Sequence, residues 1–212
     1  MADSTDDPNP LDYRSATRPP RRRAPSTPRA PALPAAERVV LRDGRVLQLR
    51  PIHASDAPAL QRAFLRLTPD QIRARFFYRI TELGEALAAR LCNPDVETTA
   101  AFVVTDADGG EIRGEARLLV DATTAGAEFG IAVDPSFTGR GVGRALMRKL
   151  IDEARRRGLV ELWGEVLTEN ALMLDLASRL GAQREAVAGE PGLMRVRFDL
   201  TRLPPEPPEP DA

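Results

Sequence analysis

Residues 127–145 constrain the fold of this chain more than any other stretch: Ala127-Glu128-Phe129-Gly130-Ile131-Ala132-Val133-Asp134-Pro135-Ser136-Phe137-Thr138-Gly139-Arg140-Gly141-Val142-Gly143-Arg144-Ala145. An alternating apolar segment, Ala127 to Val133, reads as a strand. Asp134-Pro135 ends it, and a glycine-rich turn then opens a helix from about Gly141 to Arg157. Val142, Ala145, Leu146, Leu150, Ile151 and Ala154 form one apolar stripe along that helix. Asp152/Arg156 and Glu153/Arg157 are spaced as i,i+4 ion pairs on its wet side, and Gly158 supplies a C-terminal stop. Gly139, Gly141 and Gly143 carry no side chains, so backbone N–H groups can converge on a ligand where the helix begins. Free N–H groups and the positive end of the helix dipole favour phosphate there. Arg140 and Arg144 add donors of fork geometry.

Two common phosphate motifs do not fit. A P-loop ends in Gly-Lys-Ser/Thr, and the only lysine of the chain, Lys149, follows Arg148. A dinucleotide fingerprint needs a third glycine three residues after the second; counted from Gly139 that position is Arg144, and from Gly141 it is Leu146.

Proline marks where the domain starts and stops. Eight of the 19 prolines precede residue 35 and five lie between Pro204 and Pro210. Residues 1–36 therefore read as an extended, disordered arm, with six arginines and no acid between Tyr13 and Ala36, and residues 203–212 as a Pro/Glu tail. Between them lies one domain, 37–202. Its signals run hairpin (Val39–Leu41 and Val46–Leu49 about Arg42-Asp43-Gly44-Arg45), helices Ser55–Leu67 and Thr81–Leu91 with Ser55 and Thr81 as N-caps, and strands at 100–106, 112–120 and 127–133. The helix of 141–157, a strand at 160–166, a helix at 169–180 and strands near 183–187 and 193–200 follow. The order ββααβββαβαββ is an α+β arrangement with helices on the faces of one sheet.

With 30 basic and 31 acidic residues the net charge is −1, so no global field recruits nucleic acid or an anionic membrane. No apolar run is long enough to span a bilayer, and the first ten residues lack the character of a secretory signal. A cytoplasmic protein is expected. A single cysteine and a single histidine leave no Cys/His zinc set, and no metal is expected. Cys92 reads as a buried small hydrophobe, and His53 as a surface residue at a strand end.

Arg140-Gly141-Val142-Gly143-Arg144-Ala145 resembles the pyrophosphate loop of the GNAT acyl-CoA-dependent acyltransferases. The stretch from Asn170 to Gly181 is similar to the second motif of that family, with Ala182 where an aromatic is usual. Leu41-Arg42-Asp43-Gly44, Leu49-Arg50-Pro51-Ile52 and Arg75-Phe76-Phe77 resemble the GNAT domains of bacterial protein-lysine acetyltransferases. The resemblance covers roughly residues 39–200. It implies a mixed, mainly antiparallel central sheet of about seven strands with helices on both faces. It also implies acetyl-CoA as co-substrate and transfer to a primary amine, foremost a protein lysine. Cofactor contacts carried over are the backbone of Ile131 and Val133, the loop residues Arg140, Gly141, Val142, Gly143, Arg144 and Ala145, and Asn170.

An amine of pKa about 10.4 must lose a proton before it attacks. Glu128 is the expected base, and the resembling enzymes carry glutamate at this position. Beside it, Gly130 and Ala132 leave one strand face nearly empty, a slot for a thin ligand arm, with a strand N–H near Ile131 to stabilise the developing oxyanion. Many family members place a tyrosine, the acid for the departing thiolate, where this chain has Ala177. Glu161 and Glu165 flank Trp163 and read either as a second acid near the acceptor or as plain strand alternation. The acceptor groove is expected between residues 55–91 and the loop 187–192. A small-molecule amine as acceptor, or a non-catalytic acyl-CoA-binding module, are the other readings these residues allow.

Overall fold

The computed structural model describes residues 36–76 and 80–202, so the expected N-terminal arm (apart from Ala36), Phe77 and the C-terminal tail lie outside the described residues. β1 (Glu37–Val40) and β2 (Val46–Pro51) form the first hairpin. A 3-10 turn (Ala54–Asp56) leads into α1 (Ala57–Arg66), α2 (Pro69–Phe76) and α3 (Glu85–Cys92). Then come β3 (Thr99–Thr105), β4 (Ile112–Val120) and β5 (Gly126–Val133), α4 (Val142–Arg156), β6 (Glu161–Leu167), α5 (Ala171–Arg179), β7 (Gln183–Ala186) and β8 (Leu193–Asp199). The strands form one eight-stranded sheet in the order β1-β2-β3-β4-β5-β6-β8-β7, antiparallel throughout except between β5 and β6.

Helices cover both faces, each over its own apolar core. On one face α4 and α5 press Leu146, Leu150 and Leu174 onto Leu118, Phe129, Leu162 and Phe198. On the other, α1–α3 bring Phe64, Phe76 and Leu91 onto Ala101, Val103 and Ile112. Alternate residues of β3 and β4 therefore serve opposite cores, which is why both strands are buried almost end to end.

Three local expectations are corrected. Helix α2 is not among the expected elements: its sequence has few apolar positions, but Thr68 and Gln71 cap it reciprocally, Thr68 N–H to Gln71 Oε1 at 3.0 Å and Gln71 N–H to Thr68 Oγ1 at 3.2 Å. Ser55 and Thr81 are not N-caps. Ser55 lies inside the 3-10 turn, α1 starts after Asp56, whose carboxylate is held by Arg50 and the His53 N–H, and α3 starts after Gly84. Arg156 turns to Glu153 at 2.6 Å, so the expected Asp152/Arg156 pair gives way to a Glu153 carboxylate that receives both Arg156 and Arg157. Gly158, at φ +72°, ends α4 as expected. Cys92 is buried, and that burial, ahead of the nearby Asp56 charge, pushes its thiol up to about 11.

One glycine fixes the packing of β6. A Cβ at Gly164 would sit 2.9–3.0 Å from the edge of the buried Phe129 ring. We expect Gly164→Ala to lower stability by about 1–3 kcal/mol, the usual cost of overpacking a filled core. Thermal unfolding of Gly164→Ala and of the double variant with Phe129→Leu checks this; the second change should restore much of the loss.

Candidate active site

β5 and β6 run side by side for only three residue pairs, the last joining Glu128 to Trp163. Beyond that point β5 continues to Val133 and β6 to Leu167 without pairing, so the edge of β5 facing β6 is open from Phe129 onward. A cavity of about 880 Å³ occupies this opening and continues past the start of α4 to the β1 hairpin. Its walls include Glu128, Ile131 and Val133 of β5, the turn residues Gly139, Arg140 and Gly141, then Gly143, Arg144 and Ala145 of α4, Glu165 of β6 and Asn170.

The chain between β5 and α4 is rigidly held. Asp134 is buried and binds the Ser136 N–H at 3.0 Å, the Ser136 hydroxyl at 2.6 Å, Arg66 at 2.8 Å and Arg113 at 3.3 Å. Burial alone would raise its pKa, but these donors outweigh it and hold the carboxyl below the ordinary aspartate range. A group depressed in this way contributes stability above its unfolded pKa and loses it as pH falls through the folded value. Asp134→Asn should therefore destabilise the fold by about 1–3 kcal/mol at pH 7 and flatten the acid limb below about pH 4. Denaturant unfolding at pH 7 and pH 3 checks both.

Helix α4 begins at Val142 after Gly141, which has φ +112° and caps with no side chain. The first N–H groups of the helix thus have no capping oxygen, and Ala145 makes the first backbone bond back, to the Gly141 carbonyl at 3.0 Å. This is an anion site in the physical sense: converging donors at the positive end of a fifteen-residue helix. Packing fixes where it points, since Gly114 lies directly under Val142 and Leu146, 2.8 Å from each at the position a Cβ would take. Val142 itself is wholly buried and, alone among the expected loop contacts, is not part of the cavity wall. Arg140 is drawn to the hairpin tip, its Nη1 2.6 Å from Asp43. Arg45 first, and Arg140 after it, hold the Asp43 carboxyl down to about 2.

The other sequence-predicted residues divide clearly. Glu128, Ile131, Val133, Arg140, Gly141, Gly143, Arg144, Ala145 and Asn170 share one cavity. Asn170 also caps α5, where its Oδ1 accepts from the Met173 N–H at 3.2 Å. The empty face expected above Gly130 is filled. The Arg75 guanidinium of α2 lies there, 2.8 Å from where a Cβ of residue 130 would sit, and pairs with buried Glu115 at 3.5 Å. The slot is consequently the open edge of β5, and the face of Gly130 belongs to a buried Arg75–Glu115–Arg117 cluster. On the cavity wall Gln71 Nε2 donates to the Val133 carbonyl at 3.0 Å, and Arg73 of the same helix reaches Glu169, the neighbour of Asn170, at 2.7 Å. The Thr68-x-x-Gln71 spacing could have disclosed that helix.

An open strand edge at Ile131 and Val133 beside a glycine-started helix fits the backbone contacts and the pyrophosphate loop that the acyltransferase resemblance implied, and comparison decides the matter. The model of the acetyltransferase (GNAT) family matches residues 70–182, just over half of the chain. The chain belongs to the GNAT acetyltransferase family. It is similar to an acetyltransferase of Pseudomonas aeruginosa, 32% identical over 143 residues, which are 66% of this chain and 77% of that protein. A shorter stretch of 53 residues is 53% identical to the [ribosomal protein bS18]-alanine N-acetyltransferase of Salmonella typhimurium, covering 25% of this chain and 36% of that enzyme. Among solved structures, the GNAT domain of S. lividans PAT superposes with a TM-score of 0.70 at 29% identity, over 77% of this chain and 96% of that domain.

The residues present fit the co-substrate of this family. Uncapped N–H groups and arginines suit a pyrophosphate, an unpaired strand edge suits an amide-bearing arm, and the cavity is large enough for both. Ala177, fully buried in α5, offers no group to a departing thiolate.

Proposed function

We propose that this GNAT acetyltransferase moves an acetyl group from acetyl-CoA directly to a primary amine within one ternary complex. The preferred acceptor is a protein lysine side chain, and Glu128 is the general base. The observation that carries this reading is the place of Glu128, at the last paired position before β5 and β6 part, on the wall of the cavity that ends at the uncapped start of α4. Acetyl-CoA supplies the activated acetyl group. The α4 start with Arg140 and Arg144 binds its pyrophosphate, the β5 edge at Ile131 and Val133 aligns its amide arm, and Asn170 contributes from the far wall.

Glu128 then takes the proton from the acceptor nitrogen, directly or through one water, as the new amide bond forms. A β5 backbone N–H near Ile131 faces the charge developing on the acetyl oxygen. With no acid at Ala177, the thiolate leaves unprotonated or takes its proton from water, which a thiol of pKa about 8.5 permits.

The relative named for alanine N-acetylation favours a second reading, an N-terminal α-amine as acceptor. Incubating the full chain with acetyl-CoA and two peptides separates the two. One peptide carries a lysine and a blocked N-terminus; the other carries a free N-terminal alanine and norleucine in place of lysine. Acetylation of the first, seen by mass, is expected; acetylation of the second alone would replace the lysine reading.

A further inference from the structure

Among the described residues, no apolar layer covers one face of the second half of the sheet. The core under α1–α3 contains no residue of β6, β7 or β8. On that face the register sets Trp163 beside Glu128, with Glu165 two residues further along β6. Across the next strand boundary Arg195 pairs with Glu165 and Arg197 with Trp163. Arg195 Nη2 donates to Glu165 Oε1 at 3.0 Å, and its guanidinium lies 4.7 Å above the Trp163 ring. Glu165 lines the same cavity as Glu128 and keeps 28% of its side-chain surface exposed. Among the described residues its second oxygen, Oε2, accepts no hydrogen bond.

We propose that Glu165 forms the acceptor site, in which a protein lysine sets its ammonium on Glu165 before Glu128 removes the proton. Charge complementarity commits the face to this occupant. A cationic head meets two carboxylates, Glu128 and Glu165, on the wall of one cavity. Arg195 holds Glu165 in place through its Oε1, yet as a cation it repels the incoming ammonium. The two residues should therefore act on acceptor binding with opposite signs, which a purely structural pair would not do.

This inference rests on the function proposed above and deepens it. The test is steady-state kinetics of the full chain with the N-terminally blocked lysine peptide, together with acetyl-CoA binding by calorimetry. Glu165→Gln is expected to raise the peptide KM at least about tenfold, the size of one charge-assisted hydrogen bond, with kcat and acetyl-CoA affinity unchanged. Arg195→Gln is expected to lower the same KM by about two- to fivefold, the range of a solvent-accessible charge interaction, and Glu165→Asp to recover part of the loss. An unmoved KM in Glu165→Gln, or an Arg195→Gln variant that raises KM as Glu165→Gln does, would overturn the acceptor site while acetyl-CoA binding and turnover leave the enzyme reading intact. Absence of acetyl-CoA binding by the unmutated chain, or transfer only to the free N-terminal peptide, would overturn the reading beneath it and this inference with it.

Discussion

Replacing Glu128 with glutamine is expected to lower kcat for a lysine peptide by about 10²–10⁴-fold, the contribution of a positioned general base, while leaving acetyl-CoA affinity unchanged. At pH 7 only roughly one lysine amine in 2,500 is neutral if its pKa is about 10.4. Without a base the enzyme depends on that fraction. Glutamine keeps the volume and an acceptor oxygen at the last paired residue of β5, so β5–β6 pairing and the cavity persist. The pH profile supplies a second readout. In the parent chain, kcat/KM should reach its plateau once Glu128 is ionised; in the variant its logarithm should climb with unit slope toward the pKa of the amine itself. A variant that kept most of its rate and the parental profile would move the proton acceptor elsewhere in the cavity. Glu165 would then be the next carboxylate to examine.

The fold was largely legible because its strongest signals are local. The Asp43-Gly44 hairpin, the amphipathic stripe of α4 and the Gly158 stop each follow from spacing and backbone chemistry, and each stands where expected. What escaped was decided across the chain. α2 has little apolar face of its own; it is held by Gln71 bonded to the β5 carbonyl of Val133 and by Arg75 buried against Gly130. A lone sequence shows Gly130 as an empty position but not which side chain, 55 residues earlier, fills the space. The site was legible in its glycines and in Glu128, because a helix start without side chains and an acid on the preceding strand are both local patterns. The depth of Asp134, tied to Arg66 and Arg113 from two other elements, had no local signature. Nor did the parting of β5 from β6, which becomes visible only once both strands lie in one sheet.

That parting aims the open edge of β5 at the start of α4, and it makes Gly141 the most sensitive position for the co-substrate. Gly141→Glu is expected to weaken acetyl-CoA binding by about three orders of magnitude at low salt. A carboxylate about 4 Å from one phosphate charge costs ~4 kcal/mol at an effective dielectric of ~20, and each ~1.4 kcal/mol is tenfold. The new side chain also competes for the N–H donors that Gly141 leaves uncapped. Folding should survive. A φ of +112° strains any residue but glycine, by about 1–3 kcal/mol. Nothing lies within 4 Å of the added Cβ, however, and an acid at a helix N-terminus returns about 0.3–1 kcal/mol. Gly141→Ala separates the two effects, since it carries the strain without the charge. Calorimetry with acetyl-CoA, beside thermal unfolding of both variants, should show similar melting but a dissociation constant raised far more in Gly141→Glu. Equal affinities in the two would mean that the α4 start does not hold the pyrophosphate.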